Sequence, residues 1–255
     1  MSNADPTRRF SNRVQHYVLY RPSYPAGVLD ILRSKAGLTP EAVIADIGSG
    51  TGISTDLFLR NGNRVFAVEP NPEMRAAAEA RHGESPLFQS IPAAAEATTL
   101  PDASVDYVVA GQAFHWFDAE RARAEFQRIL KPAGWVALIW NSRRLDRTPF
   151  LRDYEALLKK FGTDYAGVRH ENIDSAAIGA FFGAGGFHYH RLDHSQVLDH
   201  EGLQGRLLSS SYVPGEGAPG RAEMLEELDR IFDRSQVDGR VVYEYDTEIY
   251  FGRLT

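Results

Sequence analysis

Val43-Ile44-Ala45-Asp46-Ile47-Gly48-Ser49-Gly50-Thr51-Gly52 is the stretch that decides how this chain is read. Val43 to Ile47 has the short apolar run of a buried strand. Three glycines in five residues then make a turn, and a helix starts near Ile53 and runs to Arg60. Asn61-Gly62 supplies the stop, because glycine accepts the left-handed conformation that ends helices. Strand, glycine turn and helix open a nucleotide-type α/β unit. Glycine suits the turn because a side chain there would hold a ligand away from the backbone N–H groups.

The glycines stand at 48, 50 and 52, and position 53 is Ile. The dinucleotide fingerprint G-x-G-x-x-G therefore lacks its third glycine. Asp46 lies two residues before the turn, where a carboxylate would repel a pyrophosphate. It suits a ligand with an ammonium group and no phosphate, and S-adenosylmethionine (SAM) is such a ligand. Arg64 to Glu69 reads as a second strand ending in an acid. Glu69 falls about 20 residues after Gly48, the spacing at which a carboxylate reaches ribose hydroxyls. That acid would serve NAD or SAM equally; Asp46 and Glu69 together favour SAM.

Asp-Ile-Gly-Ser-Gly-Thr-Gly (46–52), Val-Glu-Pro-Asn-Pro-Glu-Met (68–74) and Arg-Ile-Leu-Lys-Pro-Ala-Gly-Trp (128–135) resemble motifs of the class I SAM-dependent methyltransferases. The resemblance covers roughly residues 40–141. Tyr-Arg-Pro-Ser-Tyr-Pro (20–25) and Gln-Ala-Phe-His-Trp-Phe (112–117) look like the small-molecule branch related to trans-aconitate methyltransferase, among the type 11 enzymes. The resemblance implies a three-layer, Rossmann-like α/β fold with a seven-strand, mostly parallel sheet and one antiparallel strand. It implies SAM as cofactor and S-adenosylhomocysteine as product. Asp46, Gly48 and Gly50 would line the methionine part, with Ser49 and Gln112 also against the cofactor. Glu69 would hold the ribose, Pro70 to Met74 would lie against ribose and adenine, and Ala95 and Glu96 would flank the adenine. Arg21 would pair with the amino-acid carboxylate of SAM.

Composition limits the alternatives. A chain of 255 residues with 43% hydrophobic residues can bury a large core. A formal net charge of −6 argues against indiscriminate binding to nucleic acid or anionic membrane. Cysteine is absent, which removes disulfides, thiolate metal sites and a Cys nucleophile. No apolar run approaches the roughly 18 residues of a membrane span, and the N-terminus lacks a hydrophobic signal core. A cytoplasmic protein is expected, and nothing fixes its oligomeric state.

Outward from the turn, residues 1–25 read as an arm: a polar start at 1–9, then a short helix and an extended segment folding over the cofactor. Its aromatics can also simply dock the arm. Ala26 to Ala36 is an amphipathic helix. Asn71 caps a helix that Gly83 ends, and Pro86 to Ser90 is a short third strand. Val105 to Gln112 is the fourth, with Asp106 at its leading turn. His115 leaves that strand's carboxyl end, where open α/β sheets bind ligands. It can serve as a base for a protonated acceptor; packing beside Trp116 against cofactor or acceptor is the simpler reading. Asp118 caps a helix to Leu130, Lys131 to Gly134 is a turn, and Trp135 to Trp140 is the fifth strand. Trp116, Trp140 and Tyr212 are the candidate acceptor contacts. Arg143 and Arg144 either meet an acidic substrate or form a solvated basic loop.

Residues 142–235 read as a helical insertion that caps the substrate, with a strand at 187–198. His188, His190 and His194 alternate onto one strand face; an exposed polar face is the simpler account, and no metal site is expected. A helix spans His200 to Tyr212, another Arg221 to Ser235, and Arg240 to Phe251 is the last strand. The whole chain, 1–255, is then one domain around a SAM-binding core at 40–141. The expected activity is methyl transfer to a small molecule, at oxygen rather than nitrogen or carbon. The chain lacks the Asn/Asp-Pro-Pro-Tyr arrangement that serves exocyclic amines. The rivals are a protein or RNA methyltransferase, a NAD-dependent oxidoreductase and a non-catalytic SAM-binding module.

Overall fold

The computed structural model describes residues 14–163, 165 and 175–255. The expected polar start at 1–9, and the arm as far as Arg13, lie outside the described residues. In chain order the helices are α1 (Val14–Tyr20), α2 (Gly27–Ala36), α3 (Ile53–Arg60), α4 (Pro72–His82), α5 (Ala119–Ile129), α6 (Pro149–Phe161), α7 (Ser175–Phe182), α8 (His200–Leu208) and α9 (Arg221–Ser235). The strands are β1 (Val43–Ile47), β2 (Arg64–Val68), β3 (Phe88–Ile91), β4 (Val105–Gly111), β5 (Leu130–Arg143), β6 (His188–Leu198) and β7 (Val241–Gly252).

The strands form one sheet in the order β3-β2-β1-β4-β5-β7-β6. β1, β2, β3, β4 and β5 pair in parallel. β7 runs antiparallel to both of its neighbours, β5 and β6, and is the one reversed strand. Because the order turns back between β1 and β4, connections leave those two strands in opposite directions. Their carboxyl ends therefore part into a crevice, the place where open α/β sheets take ligands.

Period-two alternation divides each central strand between two cores. Val108 and Ala110 face Phe126, Ile129, Phe181 and Phe182 from α5 and α7. Tyr107 and Val109 face Val28, Leu29 and Leu32 of α2 and Phe58 of α3. Helices thus cover both sheet faces, giving three layers. A third core gathers α6, α8 and α9 against Val241, Tyr243 and Tyr245 at the start of β7. Local chemistry supports these elements. Asn71, Asp118, Thr148 and Asp199 each cap the helix that follows by accepting a backbone N–H, worth about 1 kcal/mol apiece.

Several local expectations are corrected. Asp106 lies inside β4, where it accepts Val43 N at 2.8 Å and Lys131 Nζ at 2.8 Å, tying the starts of β1 and β5 together. Residues 131–134 are the bulged beginning of β5 rather than a separate turn, with Ala133 at φ +64° and a register shift against β4. β3 begins at Phe88, and α8 ends at Leu208 rather than at Tyr212. Arg144 is not a solvated loop residue: it clasps Asp246 at 2.7 Å and also Asp193, joining the end of β5 to the middle of β7 and β6. No helix among the described residues is long and apolar enough to cross a membrane.

Asn63 joins α3's exit to β1's entry. It is fully buried, and its Nδ2 donates to the carbonyls of Thr39, Pro40 and Ala42 at 2.8, 3.2 and 2.8 Å. Asn63→Ala orphans those acceptors and lowers the free energy of unfolding by about 2 kcal/mol. Urea unfolding of the variant beside the parent checks this, and a loss below about 0.5 kcal/mol would show that the amide is dispensable.

Candidate functional site

The crevice at the switch point holds a cavity of about 270 Å³. Its floor is the glycine turn. Gly48, Gly50 and Gly52 all take positive φ, at 67°, 56° and 82°. At Gly48 the requirement is also spatial, since a Cβ there would sit 2.6 Å from Ala113 Cβ. Gly48 N and Ser49 N donate to Val68 O at 2.8 and 3.2 Å, which fastens the turn to the end of β2.

Glu69 follows β2 and is locked from both sides. Its Oε2 accepts Gly50 N at 2.9 Å and its Oε1 accepts Asn71 N at 2.8 Å. Each oxygen keeps a lone pair for a further donor. Burial raises its pKa, against the pull of those two backbone bonds. Pro70, Asn71 and Met74 line the wall beyond it. Ala94, Ala95 and Glu96 form the adjoining wall, and Glu96 Oε1 is held by Asp118 N at 2.9 Å.

Asp46 differs from expectation. It is fully buried, and its side chain is not part of the cavity wall. Its Oδ2 accepts Ser54 Oγ at 2.7 Å and Thr55 Oγ1 at 2.6 Å, while Oδ1 has no hydrogen-bond partner. Ser54, which does line the cavity, stands on it. Burial raises the Asp46 pKa to about 6, with the Thr55 and Ser54 donors opposing. The strand's alternation turns this carboxylate beneath the turn, out of contact with the cavity.

The segment after β4 supplies a second wall. Phe114 is buried against Phe181, with ring centroids 4.6 Å apart, and anchors a single helical turn, 114–116. His115 and Trp116 from that turn line the cavity, as does Gln112. Gln112 has φ +56° and donates Nε2 to Asn141 O at 3.1 Å. Trp140 is a correction: it is 3% exposed, packs edge-on to Phe114 and Tyr250, and does not line the cavity. Its neighbour Asn141 does. Asn141 bonds Ser23 O at 3.1 Å and accepts Thr247 Oγ1 at 2.6 Å.

The N-terminal stretch closes over the cavity with Tyr17, Arg21, Pro22 and Tyr24. It is fastened by Gln196 Nε2 to Tyr20 O at 3.2 Å and by Arg21 Nη2 to Ser209 O at 3.0 Å. Beside Arg21 stand two arginines, Arg143 and Arg206. Arg143 is neutralised by Glu155 and also bonds Tyr165 Oη, so it is no solvated loop residue. Arg206 is buried in a leucine-rich helix. It donates Nε to Tyr245 Oη at 3.0 Å, with Ser209 and Ser210 hydroxyls near 3.5 Å. Tyr212 lines the cavity between them, its ring 4.9 Å from Tyr165. Burial would raise that phenol's pKa, yet Arg143, Arg206 and Arg21 together hold it below the usual tyrosine value.

Sequence reasoning placed Tyr17 and Tyr24 in the arm and Asn141 near the rim without assigning them a site role, and it did not single out Tyr165 or Arg206. For Arg206 a signal existed, a lone arginine among Leu203, Leu207 and Leu208. His188 and His190 pack on Phe251, and His194 on Tyr245. Among the described residues no group of three potential ligands converges as a metal site would require.

Residues 45–138 match the family model described as a methyltransferase domain. An uncharacterized methyltransferase-like protein of Schizosaccharomyces pombe is 28% identical over 244 residues, covering 94% of this chain and 93% of the relative. An uncharacterized methyltransferase of Mycobacterium tuberculosis is 35% identical over 161 residues, 63% of each chain. A solved structure from Anaeromyxobacter dehalogenans, described as a candidate type II methyltransferase, superposes with a TM-score of 0.70. Its identity is 24%, and the match covers 92% of this chain and 98% of that one. A candidate antibiotic-pathway methyltransferase of Anabaena variabilis gives 0.60 at 21% identity, covering 92% and 99%. These two share the fold.

Asp46 makes the stability of the protein depend on pH. Its pKa rises from an ordinary value of about 3.9 to about 6 in the folded state. The folded state then binds more protons than the unfolded one between these values, so this residue's contribution falls as pH climbs from about 4 to 6. The full span is about 3 kcal/mol, of which roughly 1 kcal/mol lies between pH 5 and 7.5. Asp46→Asn removes that slope and leaves an acceptor for Ser54 and Thr55. Urea unfolding of both proteins at pH 5 and 7.5 should show the variant gaining on the parent at the higher pH; a constant difference would refute the assignment.

Proposed function

We propose that the chain, whose residues 45–138 match a methyltransferase domain, is a class I SAM-dependent methyltransferase whose acceptor is a small molecule, methylated at oxygen inside the cavity. The observation that carries this reading is the closure. Tyr17, Arg21, Tyr165, Arg206 and Tyr212 all line the same cavity as the glycine turn. An acceptor meeting the turn must fit beneath them, which suits a small molecule better than a polymer. The chain also lacks the Asn/Asp-Pro-Pro-Tyr arrangement of amine methylation, which supports oxygen.

The cavity residues fit SAM on their own chemistry. At Gly50 a Cβ would meet only the Met74 terminal methyl, at 3.6 Å, so the turn leaves room for a ligand against its backbone. Glu69, fixed by Gly50 and Asn71, accepts the ribose hydroxyls. Arg21 has a buried Nε with no hydrogen-bond partner, and takes the amino-acid carboxylate. Gly48, Ser49 and Gln112 border the methionine part. The buried charge of Asp46 favours a cation above Ser54. Pro70 and Met74 lie along ribose and adenine, and Ala95 and Glu96 flank the adenine.

When bound, SAM would supply a methyl made electrophilic by its sulfonium, with S-adenosylhomocysteine as the leaving group. The protein's task is to hold the acceptor oxygen in line, which supplies much of the acceleration in a displacement of this kind. His115, Trp116 and Tyr212 are the acceptor-side groups. Holding the oxygen in line is their role, and a hydroxyl acceptor would hand its proton to His115 or to water.

Glu69→Ala should weaken SAM binding by about 1–3 kcal/mol, through lost hydroxyl bonds to a charged group. Glu69→Gln should fall between, since an amide keeps one acceptor. Calorimetric titration with SAM reads both. Unchanged affinity in the alanine variant would sink the ribose assignment, and a thermal shift with NADH but none with SAM would sink the cofactor arrangement.

A further inference from the structure

Three guanidinium groups face the cavity, and their compensation is unequal. Arg143 has Glu155 against it. Among the described residues Arg21 and Arg206 have no carboxylate partner. Arg21 donates to a carbonyl, and Arg206 donates to the hydroxyls of Tyr245, Ser209 and Ser210. Arginine does not shed its proton in a protein, so both groups stay charged. A buried charge held only by neutral dipoles is costly, and two like charges sharing one chamber repel each other. That repulsion reaches the side chains themselves. Burial, and then Arg206, lowers the pKa of Arg21.

SAM brings one carboxylate, which in the arrangement above goes to Arg21. The second charge is then left over. Arg206 is 6% exposed, stacked over the rings of Tyr243 and Tyr245 at 5.3 and 6.0 Å, and held by Nε and Nη1. Its Nη2 makes no hydrogen bond among the described residues. The side chain is therefore fixed in direction, with donors to spare at the cavity. Tyr212 reports the surplus, its phenol held low by the three arginines. Arg143, Arg206 and Tyr212 lie beyond the stretch 45–138 that matches the methyltransferase domain, on the wall of the cavity that the glycine turn, Glu69 and Glu96 do not form.

We propose that the methyl acceptor carries an anionic group, a carboxylate or a phosphate, bound by Arg206 with Arg143 and Tyr212 beside it. This rests on the small-molecule reading of the cavity and narrows it to acids. A charge-assisted, fork-shaped donor suits either oxyanion. A neutral acceptor of the same size would leave the guanidinium uncompensated and be rejected.

The test is calorimetric titration of the protein saturated with S-adenosylhomocysteine, in low-chloride buffer. The probes are benzoate, citrate, glycerol 3-phosphate and, as the neutral match to benzoate, benzamide. At least one anion should bind, and benzamide at least tenfold more weakly than benzoate when benzoate is the binder; whether carboxylates or the phosphate bind separates the two sources. Arg206→Met should weaken the bound anion tenfold or more while affinity for S-adenosylhomocysteine stays within threefold. Arg206→Lys, which keeps a charge, should lie between and serves if the methionine variant does not fold. The inference is overturned if no anion binds, if benzamide binds as tightly as benzoate, or if both variants leave anion affinity unchanged. Methyl transfer to a neutral phenol would also overturn it, yet would leave the oxygen-acceptor reading standing. Failure of the parent to bind S-adenosylhomocysteine would instead strike the cofactor arrangement.

Discussion

The molecule turns on one close approach. Gly48 at the end of β1 lies so near Ala113, beyond the end of β4, that a Cβ would meet it at 2.6 Å. These are the two strands between which the sheet reverses its order. Their exits must part around a ligand while the first turn stays backbone-thin. Glycine with positive φ meets both demands. The same turn donates Gly48 N and Ser49 N to Val68 O and Gly50 N to Glu69. One constraint thus places the floor of the cavity, its acidic residue and the start of α3 together.

From that floor the chamber becomes electrically polar. Glu69, with Asp46 below the turn, gives one end negative charge; Arg21 and Arg206 give the other positive charge. Both acids have raised pKa values, and the clearest strain is the unpartnered Oδ1 of Asp46. Such charges are costly in an empty protein and repaid by a ligand of matching polarity. A zwitterion with a second cationic centre near its amine fits that arrangement better than a pyrophosphate does. This is why the acid before the turn was a sounder guide to the cofactor than the glycine spacing alone.

Local signals carried most of the fold. The apolar run at 43–47, the caps Asn71 and Asp118, and the alternation of 241–251 each act within a few residues, and each formed as read. Where a reading failed, the cause lay in tertiary contacts or in phase. Trp140 was chosen for the rim, but successive strand residues face opposite ways, and its neighbour Asn141 is the one that meets the cavity. Asp46, expected to line the cavity, lies beneath the turn for the same reason. Arg143 and Arg144 read as either substrate-facing or solvated, because their acids, Glu155 and Asp246, lie 12 and 102 residues away. Arg206 hid inside a leucine stripe, where period alone marks a core helix.

The distribution of these residues along the chain also explains how far a resemblance can reach. Glu69, Ala95, Glu96 and the glycine turn lie within the stretch that matches the methyltransferase domain; Arg21, Arg143, Arg206 and Tyr212 lie outside it. The matched part shapes the cavity through backbone geometry, at glycines held in positive φ. The other part is built from side chains on α8, on the loop after it and on the N-terminal stretch. α8 and the loop after it share a core with α6 and α9, and the N-terminal stretch is tied to them by the Arg21 bond to Ser209 O and to β6 by the Gln196 bond to Tyr20 O. A substrate signature is therefore to be sought in the arginines and tyrosines that this third core and the N-terminal stretch hold in place.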